Sequence, residues 1–199
     1  MKKISLIIIS FFFTLSLALA SNYSSEPKIF VTELVNDAIN KLSDKTIDKE
    51  EKKKLIEIIA LENVDINALG MYTLGELRKS ADKDSLKKYK QSFEKYFLKS
   101  LTSRLTDYSS NKFEVIKAEK KSASYTIVSS KIIGSGDQPE IKIDWRIYTK
   151  NPEKPLIRDL IVEGLSLART QKEEFASILN SNNNDINLLI TKLDEFTGK

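Results

Sequence analysis

Apolar positions recur at helical spacing through the first half of the chain and at a spacing of two through the second. Val31, Leu34, Val35, Ala38, Ile39 and Leu42 fall at i, i+3, i+4 and i+7, which predicts a helix with one buried face. Ser25-Glu26-Pro27 opens it, with proline in the first turn where a missing N–H costs nothing. Asp48 followed by Glu51 reads as a capping-box-like pair ahead of a second, heavily charged helix striped by Leu55, Ile58 and Ile59. Asn63 or Asp65 is placed to cap a third segment carrying Ile66, Leu69, Tyr72, Leu74 and Leu77. Gly70 and Gly75 interrupt it; each costs a helix about 1 kcal/mol against alanine, so they predict a break or a place where another backbone or a ligand comes close. From Ala81 runs the longest amphipathic helix, whose stripe of Leu86, Tyr89, Phe93, Tyr96, Phe97, Leu101, Leu105 and Tyr108 is unusually aromatic.

After Asn111 the period changes to two and β-branched and aromatic residues dominate, predicting strands over 112–119, 122–133, 140–149 and 156–163. Turns are expected at Lys120-Lys121, at Gly134-Ser135-Gly136-Asp137 and across residues 151–155; connections this short imply an antiparallel meander. In the third strand Ile141, Ile143, Trp145 and Ile147 face one way and Lys142, Asp144, Arg146 and Tyr148 the other. Past Gly164 the helical period returns twice, in Leu167 to Leu179 and Ile186 to Phe196, with Ser166 as cap of the first. Four helices, four strands and two helices make an α+β domain in which helices lie across one face of a curved antiparallel sheet. Trp145 and the Phe93/Phe97 stripe are then expected to wall the same space.

The first twenty residues change the picture. Lys2 and Lys3 precede an apolar run over 4–17, and Ala18-Leu19-Ala20 supplies a small-x-small cleavage site. The run is shorter than the roughly 20 residues that span a bilayer, so a signal peptide removed after Ala20 is expected, leaving residues 21–199 as one exported domain. The formal charge of +4 falls to +2 without Lys2 and Lys3, and the charges are interspersed, which argues against a nucleic-acid footprint. The lysines over 87–99 read as a solvated helix face.

The chain has neither cysteine nor histidine. That excludes disulfides, thiol nucleophiles, a Ser-His-Asp triad and the two usual zinc ligands. Carboxylates, Lys, Tyr, Ser and Thr remain. Ser166 lacks the G-x-S-x-G elbow, Asp159 and Glu163 have the spacing of any polar strand end, and Gly134-Ser135-Gly136 is too short to cradle a phosphate.

Asp159-Leu160-Ile161-Val162-Glu163-Gly164-Leu165-Ser166-Leu167, followed by Phe175-Ala176-Ser177-Ile178-Leu179, resembles a strand-turn-helix signature of the MlaC or toluene-tolerance family, the periplasmic phospholipid carriers of Gram-negative lipid-asymmetry transport. Val64-Asp65, Leu74-Gly75 with Arg78, and Leu105 with Tyr108 match in the same order, and the similarity spans the mature chain. Leu77, Leu101, Pro155 and Gln171-Lys172 depart from it, standing where the family commonly has Trp, Tyr, Trp and Tyr-Arg.

The resemblance implies an NTF2-like cone with additional helices and a phospholipid held by its two acyl chains. It also implies docking to an outer-membrane lipoprotein complex and an inner-membrane ABC transporter complex, with no cofactor, no metal and no catalysis; a monomer is expected. Such a carrier is physically reasonable. Exposing acyl chains costs about 0.8 kcal/mol per methylene, whereas moving them between a bilayer and an apolar cavity is near neutral.

The acyl pocket is expected between the long helix and the sheet, lined by Tyr72, Leu74, Phe93, Phe97, Leu101, Ile127, Ile143, Trp145, Leu160 and Val162, so that Trp145→Asp would leave a folded, lipid-free protein. Two other readings are an NTF2-like isomerase using Asp144 or Asp159 as base, and an interaction module with a solid core.

Overall fold

The computed structural model describes residues 23–105, 112–133 and 139–198; the leader, Tyr108 and the turn expected over 134–137 lie outside the described residues. Six α-helices form among the described residues, and the caps expected of Asp48, of Asp65 and of Ser166 are in place. Glu26 accepts the Lys28 and Ile29 amides at the start of α1 (Pro27–Ser43), and Asp48 accepts the Glu51 amide at the start of α2 (Lys49–Asn63). Asp65, rather than Asn63, caps α3 (Ile66–Thr73). α3 ends where Gly75 takes a φ of 64° and a 3-10 turn (Gly75–Lys79) follows. The 23 residues of α4 (Lys83–Leu105) complete the first helical layer. In α2 the buried face is Ile56, Ile59, Ala60 and Asn63, with Ile58 half-exposed. The run Leu55-Ile56-Glu57-Ile58-Ile59-Ala60 satisfies helical spacing in two phases, and packing selects the one not expected from the sequence.

Five strands make one antiparallel sheet in sequential order: β1 (Lys112–Ser122), β2 (Tyr125–Ile133), β3 (Ile141–Tyr148), β4 (Leu156–Val162) and β5 (Leu165–Ser166). Two expectations need correction. β1 runs through Lys120-Lys121 and the turn falls at Ala123-Ser124; the β1–β2 register shifts at Ile116, from Val115↔Ser130 to Lys117↔Ser129, and again between Lys120 and Ser122. The sheet also has a fifth strand of two residues, formed as Glu163 and Gly164, both at positive φ, fold Leu165 back onto Val162. Two helices, α5 (Leu167–Asn180) and α6 (Ile186–Thr197), close the chain.

The core is in two parts. Phe30, Val31 and Leu34 of α1 and Ile56 and Ile59 of α2 pack on Val128, Trp145, Ile147 and Ile157 of the sheet. Ile66, Leu74, Tyr89 and Phe93 form the other part with residues of α5 and α6. α4 joins the two, with Phe93 and Phe97 in the helical cluster and Leu101 and Leu105 against the sheet cluster. Among the described residues no helix is long and apolar enough to cross a membrane.

Candidate functional site

Residues paired across antiparallel strands project on the same face, so the register sorts the expected pocket residues. Val128, Trp145 and Leu160 lie side by side on the inner face, with Ser130, Ile143 and Val162 in the next row. Trp145 is buried; its indole N–H donates to Ser130 Oγ at 2.8 Å, and that hydroxyl donates to the Ile143 carbonyl at 3.0 Å. Phe113 meets the indole edge-on. Leu101 of α4, Ile143 and Leu160 pack against this cluster while only partly buried. Leu101, Ile143, Trp145, Leu160 and Val162 are therefore gathered on the inner face.

The remaining expected residues lie elsewhere. Leu74 and Phe93 are buried in the helical cluster, where Phe93 stacks on Phe97 and meets Phe175 edge-on, each at 6.3 Å between ring centres. Phe93 and Trp145 therefore belong to different parts of the core, contrary to the expectation that they wall one space. α4 is about 35 Å long at 1.5 Å per residue, and its N-terminal half is occupied by α3, α5 and α6. Ile127 pairs with Arg146 and faces away from Trp145, and Tyr72 is half-exposed on that same outer side.

The outer face carries a groove that the sequence did not suggest. Cavities of about 350 Å³ and 710 Å³ share Tyr72, Tyr125 and Arg146 along their walls. Arg158 lines the smaller one from the bulged stretch of β4. Its Nε and Nη2 donate to Asp65 Oδ2 at 2.9 and 2.7 Å, its Nη1 donates to the Tyr125 hydroxyl at 2.8 Å, and its guanidinium lies 3.4 Å from the Tyr148 ring centre. This arrangement ties α3 to the sheet and sets Arg158 rigidly in the groove wall. Arg78 and Arg146 complete the cationic lining. Arg78, Arg146 and Arg158 are too far apart in sequence to form a basic run, which is why charge patterning missed them.

Asp159, a candidate base in the isomerase reading, is buried, and both its oxygens hold structure. Oδ1 accepts the Ala168 amide at 3.0 Å and Oδ2 the Ser166 hydroxyl at 2.7 Å, while Ser166 Oγ accepts the Arg169 amide and caps α5. Asp159→Ala strands both donors, and with about 1–3 kcal/mol for each buried unsatisfied group the loss should reach about 3 kcal/mol. A denaturant titration checks this; an unchanged midpoint would contradict the structural role. Asp144, the other candidate, stands half-buried on the outer face opposite Ser129 and Ile161. No cluster of acidic side chains among the described residues is arranged to hold a metal ion.

The family model for the MlaC protein matches residues 31–195, a span from the first buried turn of α1 to the end of α6. The chain belongs to the MlaC family. Its fold is also that of a solved phospholipid-binding protein from Ralstonia solanacearum, determined in complex with a phospholipid. The two share 15% identity and superpose with a TM-score of 0.71 over 88% of this chain and 97% of the other. At that identity the likeness establishes the NTF2-like MlaC fold. No curated protein sequence matches the chain. The stretch that carried the MlaC resemblance in the sequence, Asp159 to Leu167, is the β4–β5 turn with its Asp159–Ser166 tie to the N-terminus of α5. It marks the fold at a structural joint, and its Leu160 and Val162 pair with Trp145 and Ile143 on the inner face.

Proposed function

We propose that the protein is a periplasmic phospholipid carrier, exported by cleavage after Ala20. Residues 21–199 then act as one monomeric domain that moves lipid between an outer-membrane lipoprotein complex and an inner-membrane ABC transporter complex. The observation that supports this most is membership of the MlaC family over residues 31–195, joined to a fold whose solved relative holds a phospholipid. Both favour a binding and transport role over an enzyme, and the carrier needs no cofactor because transfer of acyl chains between two apolar surroundings is near neutral.

The acyl chains enter between the end of α4 at Leu101 and the inner face of the sheet, against Leu101, Ile143, Trp145, Leu160 and Val162, with Phe97 left in the helical cluster. Leu101, Ile143 and Leu160 are apolar yet only partly buried, the condition of a surface that a ligand finishes covering. Leu74 and Phe93 anchor the fixed end of α4 from within the helical cluster, and Tyr72 and Ile127 belong to the outer groove.

Incubation with vesicles containing a fluorescent phospholipid, followed by re-isolation, tests the placement. The wild-type protein should emerge labelled, and Leu101→Arg should lower the label by at least about tenfold, or about 1.4 kcal/mol, while leaving the far-ultraviolet circular dichroism unchanged. Full labelling of the folded variant would move the acyl site elsewhere.

A further inference from the structure

The outer groove lies across the sheet from the proposed acyl space, and its chemistry is different. At the α3 end, the cavity of about 350 Å³ has Arg78, Arg146 and Arg158 in its wall against a single lining carboxylate, Asp159. Asp159 is committed through both oxygens to Ser166 and Ala168, and the charge of Arg158 is already met by Asp65. Arg146 has no hydrogen-bond or ion-pair partner among the described residues and is exposed in the middle of β3. Arg78 donates to the Gly75 carbonyl and lies 3.9 Å from Glu76 Oε1, a loose pair with a carboxylate whose Oε2 is held by Lys79 at 2.6 Å. Lys172 adds a further cation at the rim, with its Nζ 5.3 Å from the centre of the Tyr72 ring. Farther along the groove, Asp144 and Glu119 face Lys117, Lys121 and Arg146, so the uncompensated positive charge is concentrated at the α3 end.

We infer that the α3 end of the groove binds a phosphate group, monoester or diester, held between Arg146 and Arg78 with Tyr72 at its edge. Guanidinium groups present forked N–H donors that match phosphate oxygens in pairs, and an arginine without a protein partner beside a second, partly engaged one supplies that match. Arg158 has the complementary role of a fixed wall, since three of its N–H groups and its stacking face are already used. A cavity of this size accepts a phosphorylated head group or small metabolite and is closed to a helix or folded acidic segment, which favours phosphate over an acidic protein. The site does not depend on the carrier reading.

Calorimetric titration of the purified protein with inorganic phosphate and with glycerol 3-phosphate tests the site. Both should bind, Arg146→Ala should weaken each by at least about tenfold and Arg146→Lys by less, since lysine keeps the charge and loses the fork. Sedimentation with phosphatidylglycerol vesicles separates the sources: Arg146-dependent binding to vesicles assigns a membrane head group, and binding of the free compounds without it assigns a soluble phosphate. Absence of phosphate binding in every arm, equal binding by Arg146→Ala, or binding of oligoglutamate in place of phosphate would each overturn the inference. Lipid content, measured on the same samples by organic extraction, should be unchanged in Arg146→Ala. A lipid-free protein that still bound phosphate through Arg146 would retain this site and lose the carrier reading.

Discussion

Trp145→Asp is expected to leave no folded protein to assay. The indole is buried at 8% exposure, bonded through its N–H to Ser130, and packed beside Val128, Leu160 and Phe113. Truncating a buried tryptophan alone costs about 3–5 kcal/mol. An unpaired carboxylate in the space left behind adds several more unless it takes up a proton. The sum exceeds about 5 kcal/mol, against a whole-protein stability of about 5–15 kcal/mol. This replaces the expectation from sequence that the variant would fold and merely lose its lipid. Trp145→Phe should fold, because it keeps an aromatic ring and leaves Ser130 free to donate to the Ile143 carbonyl, at a cost of about 1–2 kcal/mol. Thermal melts followed by circular dichroism separate the two; a cooperative Trp145→Asp melt within a few degrees of wild type would show that the inner face is open around this residue.

Gly70→Val is the second large effect. A Cβ at position 70 would lie 2.7 Å from Phe93 Cδ1, inside contact distance. The Phe93 ring has little room to turn, being enclosed by Tyr89, Tyr96, Phe97 and Phe175 with 2% of its surface exposed. The Gly70 carbonyl is equally fixed: it accepts the Leu74 amide and the hydroxyls of Thr73 and Tyr89. Burial pushes the Tyr89 hydroxyl far above its ordinary pKa, so it remains a donor at any pH where the protein is studied. Overpacking of this kind costs about 1–3 kcal/mol, occasionally more, and here it outweighs the roughly 0.4 kcal/mol that helix propensity returns when valine replaces glycine. A fall of about 2–10 °C in melting temperature is expected for a chain of this length. Phe93→Ala in the same chain should restore part of it, because the ring that meets the new Cβ is gone. Simple addition of the two single-variant losses would show that Phe93 is not what limits position 70.

The element order and the helix starts were legible in the sequence because each rests on local chemistry: Pro27 after Glu26, Asp48 three residues before Glu51, Ser166 after Gly164. Gly75 provides the expected break, ending α3 at a positive φ, whereas at Gly70 it is the Phe93 side chain that comes close, in place of the backbone or ligand expected. What local patterns lacked was long-range information. The α4 stripe reads as continuous from Leu86 to Leu105, yet its two halves enter different parts of the core. In β2, Ile127 and Val128 are both apolar, so a period of two cannot say which faces Trp145; the register gives that place to Val128. The outer groove brings together arginines at 78, 146 and 158, from the 3-10 turn, β3 and β4, a proximity that only the folded sheet creates.

Native mass spectrometry of the protein, purified without detergent, tests most simply whether the chain carries phospholipid. A mass increment of one phospholipid per chain is expected, released by organic extraction and regained from vesicles. A chain that flies at its bare mass and takes no lipid from vesicles would contradict it.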